Sequence, residues 1–314
     1  MRPEDSLPGY IRLHETGELN ARIDRAFDLL RECTICPRKC GVNRQQDERG
    51  FCKTGFLPVI ASSGPHFGEE PPLVGHKGSG TLFVSHCNLA CRFCQNHAIS
   101  QGERGTGTPL KKLAGMMIRL QEAGCHNINI VTPSHIVPQL IMTIGIAVEQ
   151  GLRIPIVYNS GGYDSGESLR LLDGIIDIYM PDAKFGSNEV AAVLAQAPDY
   201  VEIMQDAIRE MHRQVGDLVI VDGIAARGLL VRHLVLPENL AGSDTVLPWI
   251  AQEISQDTYV NIMDQYHWPA SLSTTGPGTK DPRFRELYRP VTAREYATAI
   301  RWAREAGLHR GFSG

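Results

Sequence analysis

Short apolar runs alternate with longer stretches of helical periodicity over most of the chain beyond residue 80. The runs cover 81–86, 127–132, 155–160, 175–180, 229–237 and 258–264, and are rich in Val, Ile, Leu, Met and Tyr. Between them, 110–124, 135–151, 166–174, 197–216 and 244–255 repeat apolar residues at helical spacing. Apolar strands that are each followed by a helix are what a parallel sheet buried on both faces requires. Gly124, Gly151 and Gly174 stand where a helix would end and the chain turn back to a strand. Six such βα units fall short of the eight that close a barrel. The pattern therefore predicts an α/β fold, an open, partial (β/α)6 TIM-like barrel, with a doubly wound sheet as the alternative. In both architectures chemistry gathers at the carboxyl ends of the strands.

The two ends of the chain read differently. Over 18–33, Leu19, Ile23, Phe27 and Leu30 recur on one face of a helix. From Cys33 to about Gly80, Gly, Pro and Cys dominate, which predicts loops and short strands held by something other than a large core. At 292–307, Thr292 with Glu295 three residues on marks a capped closing helix. The expected organisation is a helix and cysteine-rich segment over 1–75, the βα units over 76–270, and a loop with the last helix over 271–314.

Composition excludes more than it assigns. The 314 residues are 42% hydrophobic and 21% charged, as in ordinary globular proteins. With 31 basic and 35 acidic residues the net charge is −4, and no basic block marks a nucleic-acid groove. The first residues lack the pattern of a signal peptide, and no run reaches the length of a membrane span. A soluble, cytoplasmic protein without nucleic-acid or membrane partners is the expectation. Residues 78–83 lack the lysine that a phosphate-binding loop needs.

Cysteine changes the picture most. In a reducing compartment clustered cysteines are more often metal ligands than disulfides. Of eight, seven fall into two groups: Cys33, Cys36, Cys40, Cys52, and Cys87, Cys91, Cys94. Cys125 stands apart and reads as a small buried apolar residue. The second group has C-x3-C-x2-C spacing directly after the first apolar run, and so sits on a strand's C-terminal loop. Three thiolates can hold three corners of an iron–sulfur cubane and leave one iron open, the mark of a catalytic site. A zinc or closed-cluster site completed by a distant cysteine is the alternative. The first group offers four soft ligands for zinc or a second iron–sulfur cluster, as a structural staple or an auxiliary centre.

This loop, with Phe93 before its last cysteine, resembles the signature of the radical S-adenosylmethionine superfamily. The resemblance extends over nearly the whole chain to a subfamily related to the pyruvate formate-lyase activating enzymes, with an amino-terminal four-cysteine motif. It implies a 4Fe-4S cluster on Cys87, Cys91 and Cys94, with S-adenosyl-L-methionine chelated by the open iron and Phe93 beside its adenine. It implies an oxidoreductase that cleaves the cofactor to a 5′-deoxyadenosyl radical for hydrogen abstraction, fed by an electron donor such as flavodoxin or ferredoxin. A glycyl radical protein is the substrate so implied; a modified peptide or small molecule is the alternative, and a non-catalytic metal-binding scaffold lies outside the enzyme reading altogether.

Polar residues recur at the other predicted strand ends. Where relatives carry Gly-Gly-Glu for the methionine amino group, this chain has Thr132, Pro133 and Ser134, and Ser134 reads equally as a helix N-cap. Asp182 and Lys184 point the same way after an apolar strand, as a surface ion pair or, by the resemblance, as cofactor ligands, with Asp182 also a cation ligand. Arg232 inside an apolar strand needs an anionic partner, by resemblance the cofactor carboxylate, whereas His233 points the other way and reads as a satisfied core histidine. By the same resemblance His267 approaches the nucleoside, with Asp264 and Gln265 as second choices. The loop from Gly64 to Glu70 either lines the active-site mouth or simply connects.

Overall fold

A computed structural model of the chain describes residues 7–267 and 282–312. It opens with two short helices, α1 (Gly9–Glu15) and α2 (Glu18–Asp28), joined at Gly17, whose φ of 75° turns the chain. The expected helix thus stops at Asp28. Leu30, Cys33 and Ile35 instead bury into a small cluster of their own, apart from the main core. After a loop come β1 (Val59–His66), α3 (Pro71–Val74) and β2 (Ser79–Val84). The chain continues through α4 (His97–Ser100), β3 (Thr106–Gly107), α5 (Leu110–Glu122), β4 (Ile128–Val131), α6 (Val137–Glu149) and β5 (Ile156–Ser160). Then follow α7 (Gly166–Leu171), β6 (Ile178–Pro181), α8 (Asn188–Ala195), α9 (Tyr200–Val215), β7 (Val219–Val221) and β8 (Ile224–Leu234). Last come α10 (Ser243–Glu253), β9 (Tyr259–Met263) and α11 (Ala293–Glu305). The expected boundary near 270 and most of the loop after it lie outside the described residues.

The parallel strands stand in chain order, β2-β4-β5-β6-β8-β9, each hydrogen-bonded to the next. A doubly wound sheet would reverse direction at a switch point; this one never does. β1 and β3 add antiparallel strands at one side, and β7 pairs antiparallel with β8. Among the described residues β8 is the one strand that β9 pairs with, its outer side meeting only an isolated bridge from Tyr259 to Arg310, so the sheet is an open arc. The fold is an α/β partial (β/α)6 barrel.

Alternation along the strands makes two cores. Leu82, Ile130, Tyr158, Tyr179, Val231 and Val260 face the helices in the main core. Val157, Ile178, Met180 and Leu230 face the concave side, which Leu73 of α3 fills. Register continues the concave face upward to Asn159, Asp182, Arg232 and Asn261 at the strand ends. Packing thus fills a largely apolar floor, with Thr81 and Asn129 buried in it, and leaves the charged residues on top. Gly124, Gly151 and Gly174 end their helices at φ of 85°, 95° and 74°, where a side chain would be strained.

Candidate functional site

The C-terminal loop of β2 carries Cys87, Cys91 and Cys94 and packs on the end of α8, with the Ala90 and Arg92 amides donating to Ala195 and Leu194 carbonyls. The Leu89 N–H donates to Cys87 Sγ at 3.3 Å, and Cys94 Sγ meets Ser100 Oγ at 3.2 Å. Burial pushes the Cys91 thiol up to about 12, while the Lys184 ammonium pulls it down. Cys87 is raised by burial and then by Cys91 and Cys94, so the three thiols lie within one another's fields. Thiols buried like those of Cys87 and Cys91 ionise when a metal cation binds them.

The strand ends supply that loop with charged neighbours. Asp182 accepts from both Lys184 and Arg232, the latter through Nε at 2.8 Å. Arg232 Nη2 also donates to Asn159 Oδ1 at 2.8 Å. Its Nη1 lies 3.8 Å from Glu69 and 3.9 Å from Glu70, whose Oε1 accepts from Asn261 at 3.0 Å. The Gly64–Glu70 segment thus brings its two carboxylates against Arg232. Burial raises Glu69 to about 7, with Arg232 opposing and Glu70 reinforcing the shift. Asp182 is held below the usual carboxylate range by Arg232 and Lys184, against its burial. Tyr200 locks the base of this network, its hydroxyl bonding the Gly161 and Asp182 carbonyls at 2.8 Å and receiving the Lys184 N–H at 3.0 Å.

Other expected residues sit as follows. Phe93 is buried, edge-on to Phe185 at 5.9 Å and Tyr266 at 6.3 Å. His267 follows Tyr266 and is exposed, as are Asp264 and Gln265. His233 is a core residue, with Nδ1 on the Ala183 carbonyl and Nε2 on Ser243. Ser134 is not an N-cap: α6 starts at Val137 behind Ile136, and the Ser134 hydroxyl goes to buried Asp164 and Tyr158. Thr132 adopts φ of 64°, a strained conformation for a β-branched residue at a strand end. Asp164, which also takes Tyr158 and Ser160 at 2.7 Å, and Asn261 carried no sequence signal.

The amino-terminal cysteines also gather. Cys36 is pushed up to about 12 by burial, with Cys52, Cys33 and Cys40 adding to the shift. The Phe51 N–H donates to Cys40 Sγ at 3.4 Å, and a side chain at Gly50 would strike that sulfur at 2.6 Å. Among the described residues no three Cys, His, Asp or Glu side chains surround one point as the ligands of a single ion would. Thiolates on a cubane bind separate irons and need no such convergence. Cys87, Cys91 and Cys94, three thiols on one loop within one another's fields, have the donor chemistry that such a cluster takes.

No family model matches the chain. An uncharacterized protein of Methanocaldococcus jannaschii is 29% identical over 304 residues, which cover 92% of this chain and 79% of that protein. Among solved structures, HydG, a maturase of the FeFe-hydrogenase, aligns with a TM-score of 0.48 and 12% identity over 73% of this chain. The match spans about half of that protein, 49% of its chain. Among the described residues no helix is long and apolar enough to cross a membrane.

Proposed function

We propose that the chain is a radical S-adenosylmethionine enzyme, with Cys87, Cys91 and Cys94 holding a 4Fe-4S cluster. One observation carries this reading. A three-thiol loop after the first parallel strand lies within electrostatic reach of a Lys184–Asp182–Arg232 network built from neighbouring strand ends. The cluster and its cofactor, when bound, supply a one-electron cleavage that yields a hydrogen-abstracting 5′-deoxyadenosyl group. The chain's own residues bind and orient. Lys184 and Arg232 offer cations to the methionine carboxylate, and Asp182 fixes both and offers an acceptor to an ammonium group. Phe93, with Phe185 and Tyr266, forms an apolar wall beside the loop, and the exposed His267, next to Tyr266 in the chain, would approach the nucleoside.

The substrate we propose is a backbone position of a partner protein that becomes a glycyl radical, with a flavodoxin or ferredoxin as electron donor. Cys33, Cys36, Cys40 and Cys52, whose sulfurs do not converge on one point, would take a second iron–sulfur cluster rather than zinc, which iron, sulfide and zinc analysis would test. The enzyme reading is tested by anaerobic reconstitution with iron and sulfide, followed by dithionite and S-adenosylmethionine. Wild-type protein is expected to release 5′-deoxyadenosine, and Cys91→Ala to release none. A well-loaded wild type that forms no product leaves only a metal-binding scaffold.

A further inference from the structure

Cys87 is held from both sides by the amino-terminal cysteine segment. On one side stands Arg38, two residues after Cys36. Its Nε donates to the Asn88 carbonyl at 2.8 Å and its Nη1 to the Gln196 carbonyl at 2.5 Å. The guanidinium lies over the Phe51 ring at 3.8 Å and near the Tyr163 ring at 5.2 Å, so its direction is fixed. Asn88 is buried and donates from Nδ2 to the Tyr163 carbonyl at 2.6 Å. On the other side stands Thr54, two residues after Cys52. Its hydroxyl meets His86 Nδ1 at 2.8 Å, and both side chains are buried.

His86 has φ of 72°, left-handed without being glycine. Such a conformation is strained and persists only where surroundings impose it. It decides where the chain points on leaving β2, and so where Cys87 begins. Contacts at residues 86 and 88 thus reach the loop from positions that follow two different cysteines of the four. Neither contact is needed to complete the small apolar cluster of Leu30, Cys33 and Ile35. An independent appendage would leave the loop alone.

We propose that the four-cysteine segment is a positioning device for Cys87, acting through Arg38 and Thr54. Whatever orders Cys36 and Cys52 also orders the start of the Cys87 loop. The inference rests on the reading of Cys87 as a cluster ligand, but the clamp itself is measurable in the metal-free chain.

The test uses the full-length protein with Thr54→Val, Thr54→Ser and Arg38→Met. Amide hydrogen exchange over residues 86–89 of the metal-free chain is expected to quicken about tenfold in Thr54→Val and Arg38→Met, the equivalent of one lost hydrogen bond. Thr54→Ser, which keeps the hydroxyl, is expected to restore the slow rate. In reconstituted protein, Thr54→Val and Arg38→Met should shift the electron paramagnetic resonance signal of the reduced cluster, and Thr54→Ser should not. Thermal melting separates a local from a global loss of order. Wild-type exchange in both Thr54→Val and Arg38→Met overturns the proposal, as does a serine variant that behaves like valine. A wild type that binds no iron sinks the cluster reading and leaves the exchange test intact.

Discussion

Arg232 decides the charge of the concave face. Three carboxylates, those of Asp182, Glu69 and Glu70, lie within 4 Å of its guanidinium. Removing it leaves them buried without their shared cation, so Arg232→Met is expected to lower stability by about 3–5 kcal/mol in urea unfolding. Glu69 gives a pH dependence. Its folded carboxyl sits at about 7 against an ordinary 4.5, so the folded chain binds the extra proton between those values. That stabilisation is complete below the ordinary carboxylate range and is lost as pH rises through about 7. Glu69→Gln is expected to remove this loss, which urea midpoints at pH 5 and pH 8 would register. Asp182, Lys184 and Arg232 were legible because charge inside or just after an apolar strand demands a partner. Asp164, Asn261 and the Thr54–His86 pair were not, because their meaning lies only in through-space neighbours far away in sequence.

Elements were legible where burial is symmetrical. Most of the six parallel strands are buried on both faces and mainly apolar, so their runs stand out. β1 is partly exposed and β3 and β7 are exposed throughout, and the sequence did not place their bounds. β1 falls in the segment expected to hold loops and short strands, but Ser62, Ser63, Gly64 and Pro65 gave no apolar run to place it. β7 and the early part of β8 carried a usable signal in Asp222-Gly223, whose φ values of 51° and 81° make the tight hairpin turn this pair favours. The capping box of α11 was legible and is present, with the Glu295 N–H donating to Thr292 Oγ1 and the Glu295 carboxylate accepting from the Thr292 N–H. Glu295 also receives Arg289, which holds its carboxyl far below the usual range. Thr292→Ala is therefore expected to cost about 1 kcal/mol, read from thermal unfolding. Between β5 and α7, Gly162 has φ of 76°, and a side chain there would meet the Asp182 carbonyl at 2.3 Å. Gly162→Ala is expected to lower stability by about 2 kcal/mol or more and to disturb the Asp182 network with it.

Across the whole molecule, one winding direction collects all six strand ends on one side. The floor below them holds Leu73, Val157, Ile178 and Leu230 beside the buried Thr81 and Asn129, and the charged side chains gather at the top. There the cysteine loop, the Asp182 network and the amino-terminal cysteine segment meet. Topology was readable from the order of runs and helices. The docking of the amino-terminal segment was not, since it depends on Arg38 and Thr54 reaching across to a loop some fifty and thirty residues later. In the proposed enzyme, three thiolates would hold the cluster and leave one iron corner open to S-adenosylmethionine. This arrangement is tested most directly by electron paramagnetic resonance of the anaerobically reduced protein before and after the cofactor is added. A cluster signal that changes on addition, and that is absent from Cys87→Ala, Cys91→Ala and Cys94→Ala, is the predicted result. A signal indifferent to the cofactor, or one that survives loss of these cysteines, would contradict it.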